Sequence, residues 1–108
     1  MNMNRFMRLF VFFDLPVKTK EQRREANRFR KYLVSEGYVM LQLSVYTRIC
    51  NGPDAVKKHE NRLKKHLPSE GNVKSLTVTE KQYANMKLLV GSPPKNEKHV
   101  TYNQLTLF

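Results

Sequence analysis

A chain of 108 residues suits one domain with one core, and its single cysteine, Cys50, excludes an internal disulfide framework and agrees with a reducing cytoplasm. No apolar run approaches the roughly 18 residues of a membrane span, and Asp14 and Pro16 interrupt the N-terminal apolar run, so we expect no signal peptide. Twenty Lys and Arg against nine Asp and Glu give a formal net charge of +11, which makes nucleic acid the expected partner class over a basic protein that merely repels itself.

The first element is a strand. Residues 7–13 are rich in β-branched and aromatic side chains, which favours extended structure. Both alternating faces of this strand are largely apolar, so both faces of its sheet are expected to be covered. The strand ends on Asp14, just before Leu15 and Pro16. Two interpretations of Asp14 stay open: a carboxylate that caps a turn, or one held at a rigid strand end for chemistry.

A basic helix follows. Thr19 and Gln22 fit a capping box at its start, and Gly37 fits a terminator at its end. A stripe at helical spacing between them is expected to face the core. Its members are Gln22, Ala26, Phe29 and Leu33. The opposite side carries Lys20, Arg24, Arg28 and Lys31, with Arg23 and Arg30 on its flanks.

Two extended segments come next, residues 38–43 and 44–49. A hairpin between them needs a very tight turn near Ser44, whose exact position the sequence does not determine. Pro53 suits the first position of a second helix, residues 54–66, which is strongly basic on its outer side. The apolar residues expected on its buried side are Val56, Leu63 and Leu67.

The last third of the chain predicts a strand over residues 73–78 and a short final strand over residues 87–90. Between them, a second capping box at Thr79 starts a short helix that runs to about residue 86. The order is therefore β-α-β-β-α-β followed by an appendix, and β-α-β-β-α-β is the ferredoxin-like α+β sandwich. We expect this domain to span residues 1–91, followed by a linker and tail over residues 92–108.

A ferredoxin-like sheet carries helices on one face only, yet the first strand is apolar on both faces. Because an uncovered apolar face is unstable in water, we expect a homodimer packed through the sheets. The tail, residues 100–108, has strand composition and could add to a sheet edge of the sister subunit or of another protein. The alternative is a disordered end.

Three stretches carry a family resemblance: FVFFDLP before the basic helix, then GYVMLQLSVYTR, then NVKSLTVTEKQYANM. Together they resemble the CRISPR-associated protein 2 family, and LTVTEKQ is most similar to members from type II systems. The resemblance implies a ferredoxin-like homodimer of the cytoplasm that acts in spacer acquisition during antiviral defence. It also implies that a central dimer bridges two dimers of CRISPR-associated protein 1, the integrase, and holds the duplex of the incoming DNA.

The resemblance further implies an alternative activity, because several members of the family are described as metal-dependent nucleases acting on RNA or DNA. The family's acidic residue at the end of the first strand matches Asp14, which would hold Mg²⁺ at the dimer interface, one Asp14 per subunit, and serve as the catalytic residue. Mg²⁺ takes oxygen ligands and keeps several waters, so one carboxylate per subunit is chemically possible. No other cofactor is expected.

Phosphate contacts position a duplex without reading its sequence, which suits a protein that must accept any spacer. The candidate DNA contacts follow the first strand and line the first helix; for the helix residues, the alternative is a solvated face. They are Lys18, Lys20, Arg23, Arg24, Arg28 and Lys31. A generic RNA-binding module ranks last, because the aromatic motif of RNA-recognition domains is missing.

Overall fold

The computed structural model describes residues 5–92. Its elements, in chain order, are β1 (Phe6–Asp14), α1 (Lys20–Ser35), β2 (Val39–Gln42), β3 (Val45–Asn51), α2 (Pro53–Lys64), β4 (Asn72–Thr79) and α3 (Glu80–Ala84). The four strands form one sheet in the order β2-β3-β1-β4, with every neighbouring pair antiparallel. This is the ferredoxin-like topology, so the predicted fold class is confirmed.

The core lies between the sheet and the helices α1 and α2. Leu9 and Val11 of β1 are fully buried there, and Phe13 is almost so. Phe13 meets Phe29 of α1 edge to face, with 5.3 Å between the ring centroids. Because successive strand residues point to opposite faces, Phe10 and Phe12 of β1 lie on the other side of the sheet. We call that side, away from α1 and α2, the open sheet face.

The predicted limits of α1 are confirmed. Thr19 and Gln22 form both hydrogen bonds of the capping box, so two of the free N–H groups at the helix start are satisfied. Ala26, Phe29 and Leu33 are buried at the predicted spacing. The helix therefore turns its opposite, basic side to solvent.

The turn between β2 and β3, whose position could not be determined from the sequence, lies at Leu43 and Ser44. Ser44 has a φ of 62°, in the left-handed region that few residues other than glycine adopt. Pairing between β2 and β3 is irregular just before the turn, between Met40 and Gln42. The turn was hard to predict because neither residue is the glycine or asparagine that usually adopts this conformation.

Helix α2 ends at Lys64, two residues earlier than predicted, and the expected burial of Leu67 is wrong. Leu67 lies beyond the last helical turn and is 44% exposed. His59 is buried instead, since it lies three residues after Val56 and four before Leu63, on the same side of the helix.

The predicted strand over residues 87–90 is also wrong: the described chain has no strand after β4. Leu89 and Val90 are almost fully exposed. Residues of high strand propensity form a strand only where a neighbouring strand is available for pairing. The predicted tail, residues 100–108, lies outside the described residues. Within the described range, no helix is both long and apolar enough to cross a membrane.

Candidate nucleic-acid interface and metal centre

The outer side of α1 forms a shallow trough rich in cations. Its lining residues are Lys20, Arg23, Arg24, Asn27, Arg28 and Lys31. Lys20, Arg24 and Lys31 are exposed, and within residues 5–92 their side chains have no hydrogen-bond or ion-pair partner. These three cations are free to meet a ligand. Lys18, in the loop before α1, is likewise exposed and unpaired.

Two of the predicted contact residues are committed to the fold. Arg23 donates through Nη1 to the carbonyl oxygens of Val17 and Lys18, at 3.1 and 3.0 Å, and so holds the loop between β1 and α1. Arg23 therefore has an internal structural task besides the phosphate contact that the sequence predicts.

Arg28 is tied more firmly than Arg23. Its Nε lies 2.9 Å from Oε2 of Glu25, and its guanidinium also donates to the carbonyl oxygens of His66 and Leu67. This hydrogen bond to Arg28 holds the pKa of Glu25 below its usual value. Arg28 thus links α1 to the segment that follows α2, and it is less available to a phosphate than Arg24.

The open sheet face contains an apolar groove. Phe12 of the inner strand β1 is 37% exposed, and Leu76 of the edge strand β4 is 53% exposed. The apolar residues of the groove come from the sheet, from α3 and from the segment just after α3: Phe10, Phe12, Leu41, Val45, Leu76, Val78, Tyr83 and Met86. An exposed apolar surface of this kind is typical of an interaction site.

One end of the open sheet face is covered by α3. Nε of Arg8, on β1, lies 2.9 Å from Oε2 of Glu80, and the guanidinium carbon stands 4.0 Å from the centroid of the Tyr83 ring. Tyr83 in turn packs on Phe10. These contacts fasten α3 across the sheet and leave the groove open toward the other end, where β1 finishes.

Asp14 stands at that other end, as the last residue of β1. It is exposed, and within the described part of the chain its carboxylate accepts no hydrogen bond and has no ion-pair partner. The turn-capping interpretation required bonds from backbone N–H groups to this carboxylate, and it is not borne out. Asp14 is therefore a free carboxylate at a fixed strand end.

The fit of Mg²⁺ to this position can be judged from the available ligands. No group of three or more His, Cys, Asp or Glu side chains within residues 5–92 could hold a metal ion. A cage built of His, Cys, Asp and Glu side chains from one chain is thus excluded for these residues. An exposed carboxylate without a partner does suit a hydrated Mg²⁺, which keeps several of its waters.

Sequence reasoning missed three buried polar groups. The Tyr38 hydroxyl, the Thr47 hydroxyl and Nδ1 of His59 are buried without a hydrogen-bond partner among the described residues. Burial, followed by the nearby charges of Arg48 and Arg62, lowers the pKa of His59. Helical spacing from Val56 could have placed His59 inside; nothing in the sequence indicated the other two.

The fold and these surfaces define a class: a ferredoxin-like protein with a basic outer helix and an apolar sheet face. The model of the CRISPR associated protein Cas2 family matches residues 7–86, which is most of the chain. The chain therefore belongs to the CRISPR-associated protein 2 (Cas2) family, and the family resemblance is confirmed.

Curated relatives agree with this assignment. A protein of Acidovorax ebreus is 58% identical over 102 residues, covering 94% of this chain and 100% of the relative. One from Campylobacter jejuni is 46% identical over 105 residues, covering 97% and 73% respectively. Both are named CRISPR-associated endoribonuclease Cas2. A crystal structure of a Cas2 protein has a TM-score of 0.56 at 23% identity, covering 83% of this chain and 91% of its own, and supports the fold.

Proposed function

We propose that this protein acts in CRISPR adaptation, in a type II system, as a homodimer that bridges dimers of the CRISPR-associated protein 1 integrase. In this assembly it binds the duplex of the incoming prespacer DNA through phosphates. Family membership supports the CRISPR role, and the LTVTEKQ stretch of β4 and α3 supports the subtype.

One observation carries the proposal: the apolar groove and the basic trough lie on opposite sides of the sheet. The groove faces away from α1, whereas the trough is the outer side of α1. Two copies that join through their open sheet faces therefore keep both basic surfaces outside. A surface of this kind can hold a duplex without competing with dimerisation.

The charge balance agrees with a duplex. The chain is 45 Å across its longest axis, and a duplex of that length carries about 26 phosphate charges at one per roughly 1.7 Å. Two copies at +11 each carry +22. Because these contacts are made to phosphates, binding is expected to be independent of DNA sequence.

A charge-reversal experiment tests the DNA surface. Replacing Lys18, Lys20 and Arg24 by Glu should weaken duplex binding at every sequence, because all three cations are free. Each lost phosphate contact reduces the slope of log K against log salt by about 0.9, which fluorescence anisotropy at several salt concentrations measures.

The matched control places the same three reversals on α2. Lys57, Lys58 and Lys65 are exposed cations at or near that helix, away from the trough. Reversing them changes the net charge by the same amount and should leave most of the salt slope intact. Equal losses in the two triple variants would refute the assignment of the trough.

A second function has its own supporting observation, the free carboxylate of Asp14. We infer a metal-dependent endonuclease activity at this residue, in keeping with the endoribonuclease name of the relatives. Bound Mg²⁺ would activate water and neutralise charge on the scissile phosphate. Asp14 itself would hold the ion at the strand end, beside the open sheet face.

Two measurements separate the functions. Asp14→Ala should abolish metal-dependent cleavage of RNA or DNA by the purified protein; cleavage that persists points to a contaminant or to other residues. Spacer acquisition in cells by the same variant then shows whether catalysis by Asp14 is needed for adaptation. Retained acquisition means a scaffold, whereas lost acquisition with an intact integrase complex means that Asp14 is needed there.

A further inference from the structure

We propose that Asn72 supplies a second oxygen ligand for a divalent cation at Asp14. Each copy of the chain would then present a carboxylate and an amide oxygen together to a hard metal ion such as Mg²⁺ or Mn²⁺. This inference rests on the metal chemistry proposed above for Asp14 and adds the residue that completes its protein ligands within one chain.

Strand register brings the two residues together. Asp14, the last residue of β1, pairs with Asn72, the first residue of β4, in an antiparallel ladder. Directly opposite residues in such a ladder point to the same face, with Cβ atoms about 4.5–5.5 Å apart. Metal–oxygen bonds of about 2.1 Å can bridge two short side chains across that gap.

Both side chains are uncommitted. Asp14 and Asn72 are exposed, and neither has a hydrogen-bond or ion-pair partner among residues 5–92. Three other acidic side chains differ in this respect, because Glu25, Glu36 and Glu80 are each paired with an arginine. The oxygens of Asp14 and Asn72 can therefore turn to a cation without breaking an existing bond.

The backbone holds the pair in place. Gly71, directly before Asn72, has a φ of +92°, and a Cβ at this position would lie 2.5 Å from the carbonyl oxygen of Asp14. The chain can enter β4 this close to the end of β1 because residue 71 has no side chain. Asn72 thus starts its strand at a fixed position relative to Asp14.

The nearest charged neighbour on this face of β4 is a cation, which weakens metal binding. Lys74 lies two residues along β4 on the same face, paired in register with Phe12. One carboxylate, one amide and a nearby cation give a weak site, and exposure leaves room for waters to complete an octahedron. Mg²⁺ is commonly bound in this way, through few protein ligands and several waters.

Titration with Mn²⁺, followed by the electron paramagnetic resonance signal of the free ion, tests the proposal on the full chain without nucleic acid. Asn72→Ala should weaken Mn²⁺ binding, and Asn72→Asp should tighten it by about tenfold, because affinity for hard cations rises with the number of carboxylate ligands. Asp14→Asn should remove the binding.

Asn61→Asp is the matched control. Asn61 is an exposed asparagine of α2, on the other side of the sheet, so the same substitution changes the net charge equally and should leave Mn²⁺ affinity unchanged. Affinity equal to wild type in both Asn72 variants, together with loss of binding in Asp14→Asn, would overturn the role of Asn72 and leave the Asp14 site standing. No Mn²⁺ binding by the wild-type chain would overturn both.

Discussion

Asp14 illustrates how much of a functional residue can be predicted from its type and position. Its place at the end of an apolar strand indicated either a turn cap or a reactive carboxylate. Within residues 5–92, the Asp14 carboxylate accepts none of the hydrogen bonds that a cap would need. It is exposed and lies opposite Asn72 in the sheet. No sequence pattern indicated Asn72, because its neighbour across the sheet is separated from it by most of the chain.

The close approach at Gly71 predicts an effect on stability. Gly71→Ala should lower the free energy of unfolding by about 1–3 kcal/mol, because an L-residue at this φ is strained and its Cβ meets backbone. Urea unfolding measures the change. Gly37→Ala is the control: Gly37 has a φ of +90°, but a Cβ there meets only the flexible Arg48 side chain at 3.6 Å. Gly37→Ala should cost less, and equal costs would contradict the close approach at Asp14.

His59 predicts a pH dependence of stability. The pKa of His59 is lower in the folded protein than its ordinary value of 6.5. Near that pH the unfolded chain therefore binds more protons than the folded chain. The free energy of unfolding consequently decreases as the pH falls through that value. Burial is the main cause, and Arg48, Arg62 and Lys58 add to it while Glu36 opposes it.

His59→Leu tests this dependence, because leucine fills a similar buried space on α2 without titrating. Urea unfolding between about pH 7 and pH 5 should show a smaller loss of stability in the variant than in the wild-type chain. The loss would continue in both at lower pH, where carboxylates such as Glu25 are protonated. An identical decline in both proteins between about pH 7 and pH 5 would argue against a buried neutral His59.

Helix α1 combines structural and ligand-binding cations that look alike in the sequence. Its capping box and buried stripe were predictable because both depend on local spacing along one helix. The difference between Arg24 and Arg28 was not, since Arg28 is occupied by carbonyl groups that lie 38 and 39 residues further along the chain.

Single substitutions should separate these two arginines. Arg24→Gln should reduce the salt slope of duplex binding by about 1 without changing stability. Arg28→Gln should instead lower the free energy of unfolding by about 1 kcal/mol, because carbonyl groups after α2 lose a donor, and should change the slope less. Anisotropy and urea unfolding check the two readouts. A larger change of the salt slope in Arg28→Gln than in Arg24→Gln would show that Arg28 gives up its internal hydrogen bonds to contact a phosphate.

In a single copy of the chain, the apolar groove on the open sheet face is exposed to solvent. If a second copy covers that groove, Leu76→Glu should shift the protein from dimer to monomer, since a charge cannot be buried there without a partner. Analytical ultracentrifugation measures the shift. Leu43→Glu is the control, because Leu43 is 84% exposed at the tip of the β2–β3 turn and outside the groove. A dimer that survives Leu76→Glu would place the interface elsewhere.

The sequence by itself determined the order of the elements from β1 to α3, the limits of α1, the two apolar faces of β1 and the basic character of the surface. These properties follow from residue spacing and composition over short stretches of chain. Tertiary structure decided which cations are free, how the β2–β3 turn is made, that residues 87–90 find no strand partner within the described chain, and that Asn72 faces Asp14. The bonds of Arg28 and the pairing of Asn72 with Asp14 join residues far apart in sequence, and such contacts exist only once the chain has folded.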